Sequence, residues 1–137
     1  MEAADWVKKG IELGIQGKLD EAIACFDKAL EINPEDTDAW YNKGVALGKL
    51  GKHKEAIQCF EKAIALNPEY AGAWDNKGVA LAKLGKLEEA IQCFEMAITI
   101  NPKNADAWYA KGTVLAKLGK LEEAITCFDK ALEINPE

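Results

Sequence analysis

The chain repeats its own pattern of apolar and polar positions every 34 residues. Between residues 37 and 70, Trp40, Gly44 and Leu47 recur at i, i+4 and i+7, and after Gly51-Lys52 the residues Ala56, Phe60 and Ala63 do the same. Each set falls on one face of an α-helix, so the stretch predicts two amphipathic helices of about 13 residues apiece. Gly51 stands where a helix needs a left-handed C-terminal residue, and the Asn67-Pro68 step stops the second helix. Shifted by 34, the same columns return without insertions: Trp6, Trp40, Trp74 and Trp108; Gly10, Gly44, Gly78 and Gly112; Phe26, Phe60, Phe94 and Phe128; Pro34, Pro68, Pro102 and Pro136. The expectation is an all-α chain of four helix-turn-helix repeats, at 3–36, 37–70, 71–104 and 105–137, with a helix A and a helix B in each.

Small residues at fixed places predict how the two helices meet. Gly44 on helix A and Ala56 and Ala63 on helix B remove bulk, while Trp40, Leu47 and Phe60 fill the space around them. One hairpin cannot bury this surface alone. Stacked hairpins can, so stability is expected to rest on neighbours. The Gly44/Gly48 pair is read as close packing in a water-soluble repeat, not as a membrane motif.

The columns Trp, Gly, Leu, Ala, Phe, Ala and Pro at this spacing resemble the tetratricopeptide repeat over essentially the whole chain. The wording NKGVAL, KLGK, EEAIQCF and INP is similar to that of tetratricopeptide proteins of methanogenic archaea, and equally to an engineered consensus array. The resemblance implies one α-superhelical solenoid domain, 1–137, whose A helices line a concave side that holds a peptide or helix of a partner protein. Helix geometry gives each A helix a second face pointing away from its tryptophan. Its candidate binding residues are Asp38, Tyr41, Asn42, Val45 and Lys49, then Asp75, Asn76, Val79 and Lys83, then Asp106, Tyr109, Thr113 and Lys117. Gly48, Ala82 and Ala116 leave a shallow floor, the tyrosines offer rigid amphipathic contact, and Lys49, Lys83 and Lys117 form a positive row. The row is equally readable as dipole-complementing, solubilising charge at helix C-termini. The chaperone-binding branch of the family carries a lysine- and asparagine-based clamp for carboxylates. Val7, Ile11, Asn42, Gly72 and Asn76 stand at its places here, and only Asn42 matches, so that clamp is not expected.

Composition narrows the chemistry. The chain has no serine and no arginine, and His53 is its one histidine, so a Ser-His-Asp triad, an HExxH zinc site and arginine forks cannot be built. We expect no enzyme, no cofactor and no metal. A net charge of −6 argues against nucleic acid, and the absence of a long apolar run argues against a membrane span. Met1 to Lys9 lacks the apolar core of an export signal, so the expected location is cytoplasmic.

Other repeated residues have structural readings. Cys25, Cys59, Cys93 and Cys127 are too far apart for disulfides in stacked hairpins and read as buried thiols. The tryptophans read as core. Lys9, Lys43, Lys77 and Lys111 occupy a place that is usually leucine in the family. Each either lays its methylenes along a neighbouring helix or pairs with Glu21, Glu55, Glu89 or Glu123. His53, leucine in the other units, reads as a tolerated residue between helices. Because the sequence stops after the last repeat, Ile125, Phe128 and Leu132 are expected to be uncovered. That makes self-assembly, or membership of a longer array, the alternative to an adaptor role.

Overall fold

The computed structural model describes residues 1–136, which form eight helices. They are α1 (Ala3–Ile15), α2 (Leu19–Ile32), α3 (Thr37–Lys49), α4 (His53–Leu66), α5 (Ala71–Lys83), α6 (Leu87–Ile100), α7 (Ala105–Lys117) and α8 (Leu121–Ile134). Odd-numbered helices are the A helices and even-numbered ones the B helices. Tight turns separate them, each with a local cause. Gly51 has φ +82°, as do Gly17 and Gly85, a conformation that only glycine adopts without strain. There the Lys52 N–H donates to Leu47 O at 2.9 Å and the Gly51 N–H to Gly48 O at 3.0 Å, the paired bonds that close a glycine-terminated helix. After α4 the chain turns differently: Asn67 Oδ1 accepts from the Glu69 N–H at 3.1 Å, and the next helix begins within four residues. Helices α3 and α7 are capped by Asp36 and Asn104, whose side chains accept from Ala39 N and Ala107 N.

Each hairpin closes around a phenylalanine laid across a glycine. Phe60 is 2% exposed, and a Cβ on Gly44 would come within 2.6 Å of its ring. Gly48 has nothing within 4 Å of such a Cβ, so only the first member of the Gly44/Gly48 pair serves close packing. The tryptophans are half-buried rather than core. An indole N–H must find an acceptor, and Trp40 and Trp108 donate to Pro34 O and Pro102 O at 2.8 and 3.0 Å, which holds one ring edge at the surface.

The chain divides into two compact units, Met1–Ala73 and Trp74–Glu137, the division falling inside α5. In the first, the α1–α2 and α3–α4 hairpins join because α3 lies on α2, around Val7, Phe26, Ala39 and Ala46 and then around Leu47, Phe60 and Ala73. In the second, α7 packs on α6 and pairs with α8 around Leu115, Ala124 and Cys127.

Two of the repeated lysines, Lys43 and Lys111, lie over the tryptophan of their own helix and pair with an acidic residue other than the glutamates expected. The Lys43 ammonium lies 5.8 Å from the centre of the Trp40 ring and 2.8 Å from Asp27 Oδ1; that of Lys111 lies 5.6 Å from the Trp108 centre and 3.4 Å from Glu95 Oε2. The pairs therefore run to the middle of the preceding B helix and not to Glu21, Glu55, Glu89 or Glu123 at its start. The cause is register, because α3 crosses α2 level with Asp27. The four cysteines are buried and none is in a disulfide, and burial pushes the Cys59 thiol up to about 11.

Candidate functional site

The A-helix face differs between the two units. In the first, α3 brings Asp38, Tyr41, Asn42, Val45 and Lys49 along one side. Tyr41 is wedged in place: its ring centre is 4.8 Å from that of Tyr70 and 6.0 Å from that of Phe60. A Cβ on Gly72 would touch Tyr41 Oη at 3.1 Å, so the glycine makes room for the ring. Tyr70 Oη donates to Asp38 Oδ1 at 2.9 Å, and burial together with that acceptor pushes the phenol up. Asn42 Nδ2 donates to Asp38 O at 2.9 Å, so part of its amide is spent on its own helix. A cleft of about 290 Å³ between α1 and the start of α3 is lined by Val7, Ile11, Asp36 and Asp38.

In the second unit the same face opens. A groove of about 480 Å³ runs between α5 and α7, with Val79, Ala82, Phe94, Ala110 and Val114 giving an apolar floor and Tyr109, Thr113, Lys83 and Lys117 its edges. Tyr109 is 62% exposed although its ring centre is 5.6 Å from that of Phe128, so one face of the ring is packed and the other is free. Thr113 Oγ1 donates to Tyr109 O at 3.0 Å, so its hydroxyl is satisfied within its own helix. Lys83 and Lys117 are exposed in the last turns of α5 and α7, at one end.

Two acidic residues, Asp75 and Asp106, precede the lining residues on α5 and α7 and lie outside the groove's lining. Asp75, one helical turn before Val79, has its Oδ1 buried without a hydrogen-bond partner. Burial, then the Asp106 charge, pushes its carboxyl up to about 6. Asp75 takes the place held by Tyr41 and Tyr109 in neighbouring repeats, so a short carboxylate sits where the others stand a ring. Asn76 lies on the same helix, half-buried.

Of the residues singled out from the sequence, Val79, Lys83, Tyr109, Thr113 and Lys117 gather on this one groove. Asp38, Tyr41 and Asn42 form a packed cluster with Tyr70 instead. The sequence reading missed Phe94, Ala110 and Val114 in the floor and missed Tyr70. The bareness of Gly78 was the available signal for Phe94, whose ring lies 2.6 Å from where a Gly78 Cβ would be. Among the described residues no group of three or more histidine, cysteine or acidic side chains is placed to hold a metal ion, and no helix is long and apolar enough to cross a membrane.

By sequence, no curated protein matches the chain. By structure it is similar to the crystal structure of MamA, with TM-score 0.92 and 28% identity over 98% of this chain and 78% of that one. The first TPR of Spaghetti (RPAP3), solved bound to HSP90 peptide SRMEEVD, is 31% identical with TM-score 0.84 over 86% of this chain and 94% of that one. A thermophilic TPR protein of Thermus thermophilus, TTC0263, has TM-score 0.84 and 28% identity over 98% of this chain and 75% of that one. The TPR repeat model matches residues 12–51 and 78–119, and two tetratricopeptide repeat models match 37–70 with 105–137 and 59–92. Four hairpins with a glycine under every phenylalanine, matched by these models over most of their length, make the chain a member of the tetratricopeptide repeat family.

Proposed function

We propose that the chain is a non-catalytic scaffold that holds a peptide or helix of a partner protein on its helix-A face, with the groove of the second unit as the principal contact. One observation carries the reading: the apolar floor between α5 and α7 is left open beside Tyr109, a rigid aromatic 62% exposed. The groove is electrically polar along its length. Lys83 and Lys117 suit an acidic group of the ligand, and Asp75 with Asp106 suits a cationic or amide group at the other end. Asp38, Tyr41, Asn42, Val45, Lys49 and Asn76 are the further contacts this reading assigns to the same face. The RPAP3 domain, a neighbour in fold, holds a peptide; here Val7 and Ile11 stand in place of clamp residues, so the ligand is expected to be a different one. Buried cysteines outside any disulfide suit a reducing compartment, and the cytoplasm is the location this reading assigns.

The test is capture of a partner from a displayed peptide library by the wild-type chain and by Tyr109→Ala. Loss of capture with helical circular dichroism intact is the expected result. Undiminished capture by the variant would place binding elsewhere.

A second reading, self-assembly or a place in a longer array, draws on α8. Leu121, Ile125 and Leu132 there are 61%, 58% and 56% exposed. Apolar side chains lined up on one helix face favour a cover of some kind.

A further inference from the structure

The described clefts differ in the charge they present. The one lined by Trp40 sets Lys43 and Lys62 against Glu55 and Glu61, and the one lined by Trp108 sets Lys111 and Lys120 against Glu95 and Glu123. The cleft beside Val7 sets Lys8 against Glu12, Asp36 and Asp38. The groove between α5 and α7 is lined by Lys83 and Lys117 with no acidic side chain, in a chain whose net charge is −6. Among the described residues neither of these lysines forms an ion pair, whereas Lys111 reaches Glu95 at 3.4 Å and Lys130 reaches Glu133 at 3.9 Å. A lysine in the last turn of a helix complements the helix end whether or not a ligand is present, so position alone assigns nothing. Two of them at the same end of one apolar floor, with no counter-charge from the chain itself, do point to a partner of opposite sign.

The spacing along α7 sets the form of that partner. Tyr109, Thr113 and Lys117 lie at i, i+4 and i+8, so they step along the groove by about 6 Å each and span about 12 Å. Same-side residues of an extended chain step by about 6.6 Å, so a segment laid along α7 sets every second side chain beside one of these three. The groove's 480 Å³, spread over that length, leaves a mean cross-section of about 40 Å². A helix about 10 Å across needs roughly twice that, so the extended form fits. All the lining residues lie past the first turn of their helices, where backbone N–H groups are already spent. The donors left are the two ammoniums, on flexible stems, and the Tyr109 hydroxyl. These suit mobile side-chain carboxylates rather than the fixed end of a chain.

We propose that the groove takes an extended acidic segment from within a partner protein: apolar side chains at two alternate positions meet the floor at Tyr109 and Val79, and a side-chain carboxylate at the next alternate position, four residues from the first, is held by Lys83 and Lys117. This rests on the scaffold reading above and adds the ligand's charge, form and register to it. The negative charge of the rest of the chain sharpens the choice, because an acidic segment is repelled elsewhere and attracted where the two lysines stand.

The test presents the full chain with two libraries of random peptides, one fused at its C-termini so that side chains supply every carboxylate, the other with free C-termini. Peptides recovered from the fused library are expected to carry an acidic residue four positions from an apolar one, in either chain direction. Their binding, read by fluorescence anisotropy, should weaken about three- to tenfold in Lys83→Gln/Lys117→Gln at low salt, and the two affinities should converge at about 0.5 M salt. Both lysines are exposed, so the variant should keep its helical circular dichroism. Replacing the carboxylates of a recovered peptide by amides should cost the wild type the same factor and the variant nothing. Peptides that are lost in Tyr109→Ala yet carry no acidic bias would overturn this proposal and leave the scaffold reading standing, whereas peptides indifferent to Tyr109→Ala would remove both. Capture from the free-ended library alone, acidic residues at a helical spacing of about eight from the anchor, or displacement of the peptide by a single-stranded oligonucleotide of matched charge would each overturn it as well.

Discussion

Single residues set opposite demands at places that look alike in sequence. Gly44 and Gly48 lie one turn apart on α3, yet a Cβ at Gly44 would strike Phe60 at 2.6 Å while one at Gly48 meets nothing within 4 Å. Gly44→Ala should therefore destabilise by about 1–2 kcal/mol, the strain of overpacking less the helix-propensity gain. Gly48→Ala should stabilise by roughly 0.5–1 kcal/mol for the propensity gain alone. Urea denaturation of both variants checks the pair, and equal effects would contradict the packing described. Asp75 makes a demand on pH. Its folded carboxyl titrates at about 6, above its ordinary value of 3.8, so the folded state holds the proton more tightly than the unfolded one. The stability this confers is full below the ordinary value and is lost as pH rises through about 6. Asp75→Asn should thus raise the melting temperature by a few degrees at pH 7.5 and leave it unchanged near pH 3, a difference a pair of thermal scans resolves.

At the scale of helices, the boundaries were written in the chain because each has a local cause. The left-handed glycine ends every A helix and the asparagine-proline step ends every B helix, and neither depends on tertiary contacts. The lysine partners were not legible in the same way. Lys43 finds Asp27 rather than a glutamate at the start of a B helix, since the level at which α3 crosses α2 is decided by packing and not by sequence spacing. The candidate face was half legible. Helix periodicity put Val79 and Tyr109 on one side, but it could not tell that Tyr41 is locked against Tyr70 while Tyr109 stands free. That distinction rests on Gly72, whose missing side chain admits the Tyr41 ring. It follows that Tyr41→Ala should cost stability, on the order of 2–3 kcal/mol for a packed aromatic. Tyr109→Ala should cost under about 1 kcal/mol, since that ring is mostly in solvent. Denaturation midpoints of the two variants decide this.

For the molecule as a whole, membership of the tetratricopeptide repeat family is the ground on which the proposed recognition role stands. The family supplies a scaffold of paired helices, and this chain uses it unevenly: one stretch of the helix-A face is filled by its own tyrosines, and another is left open beside Lys83 and Lys117. Each charge near the groove is individually worth little in water, so in the binding we propose the apolar floor and Tyr109 supply most of the grip and the charges set direction. The most direct measurement is backbone amide chemical-shift mapping of the full chain titrated with a peptide recovered by selection. Shifts concentrated at Val79, Lys83, Tyr109, Thr113 and Lys117 are predicted. Shifts confined to the outer positions of α2, α4, α6 and α8, with those five residues unmoved, would contradict the account.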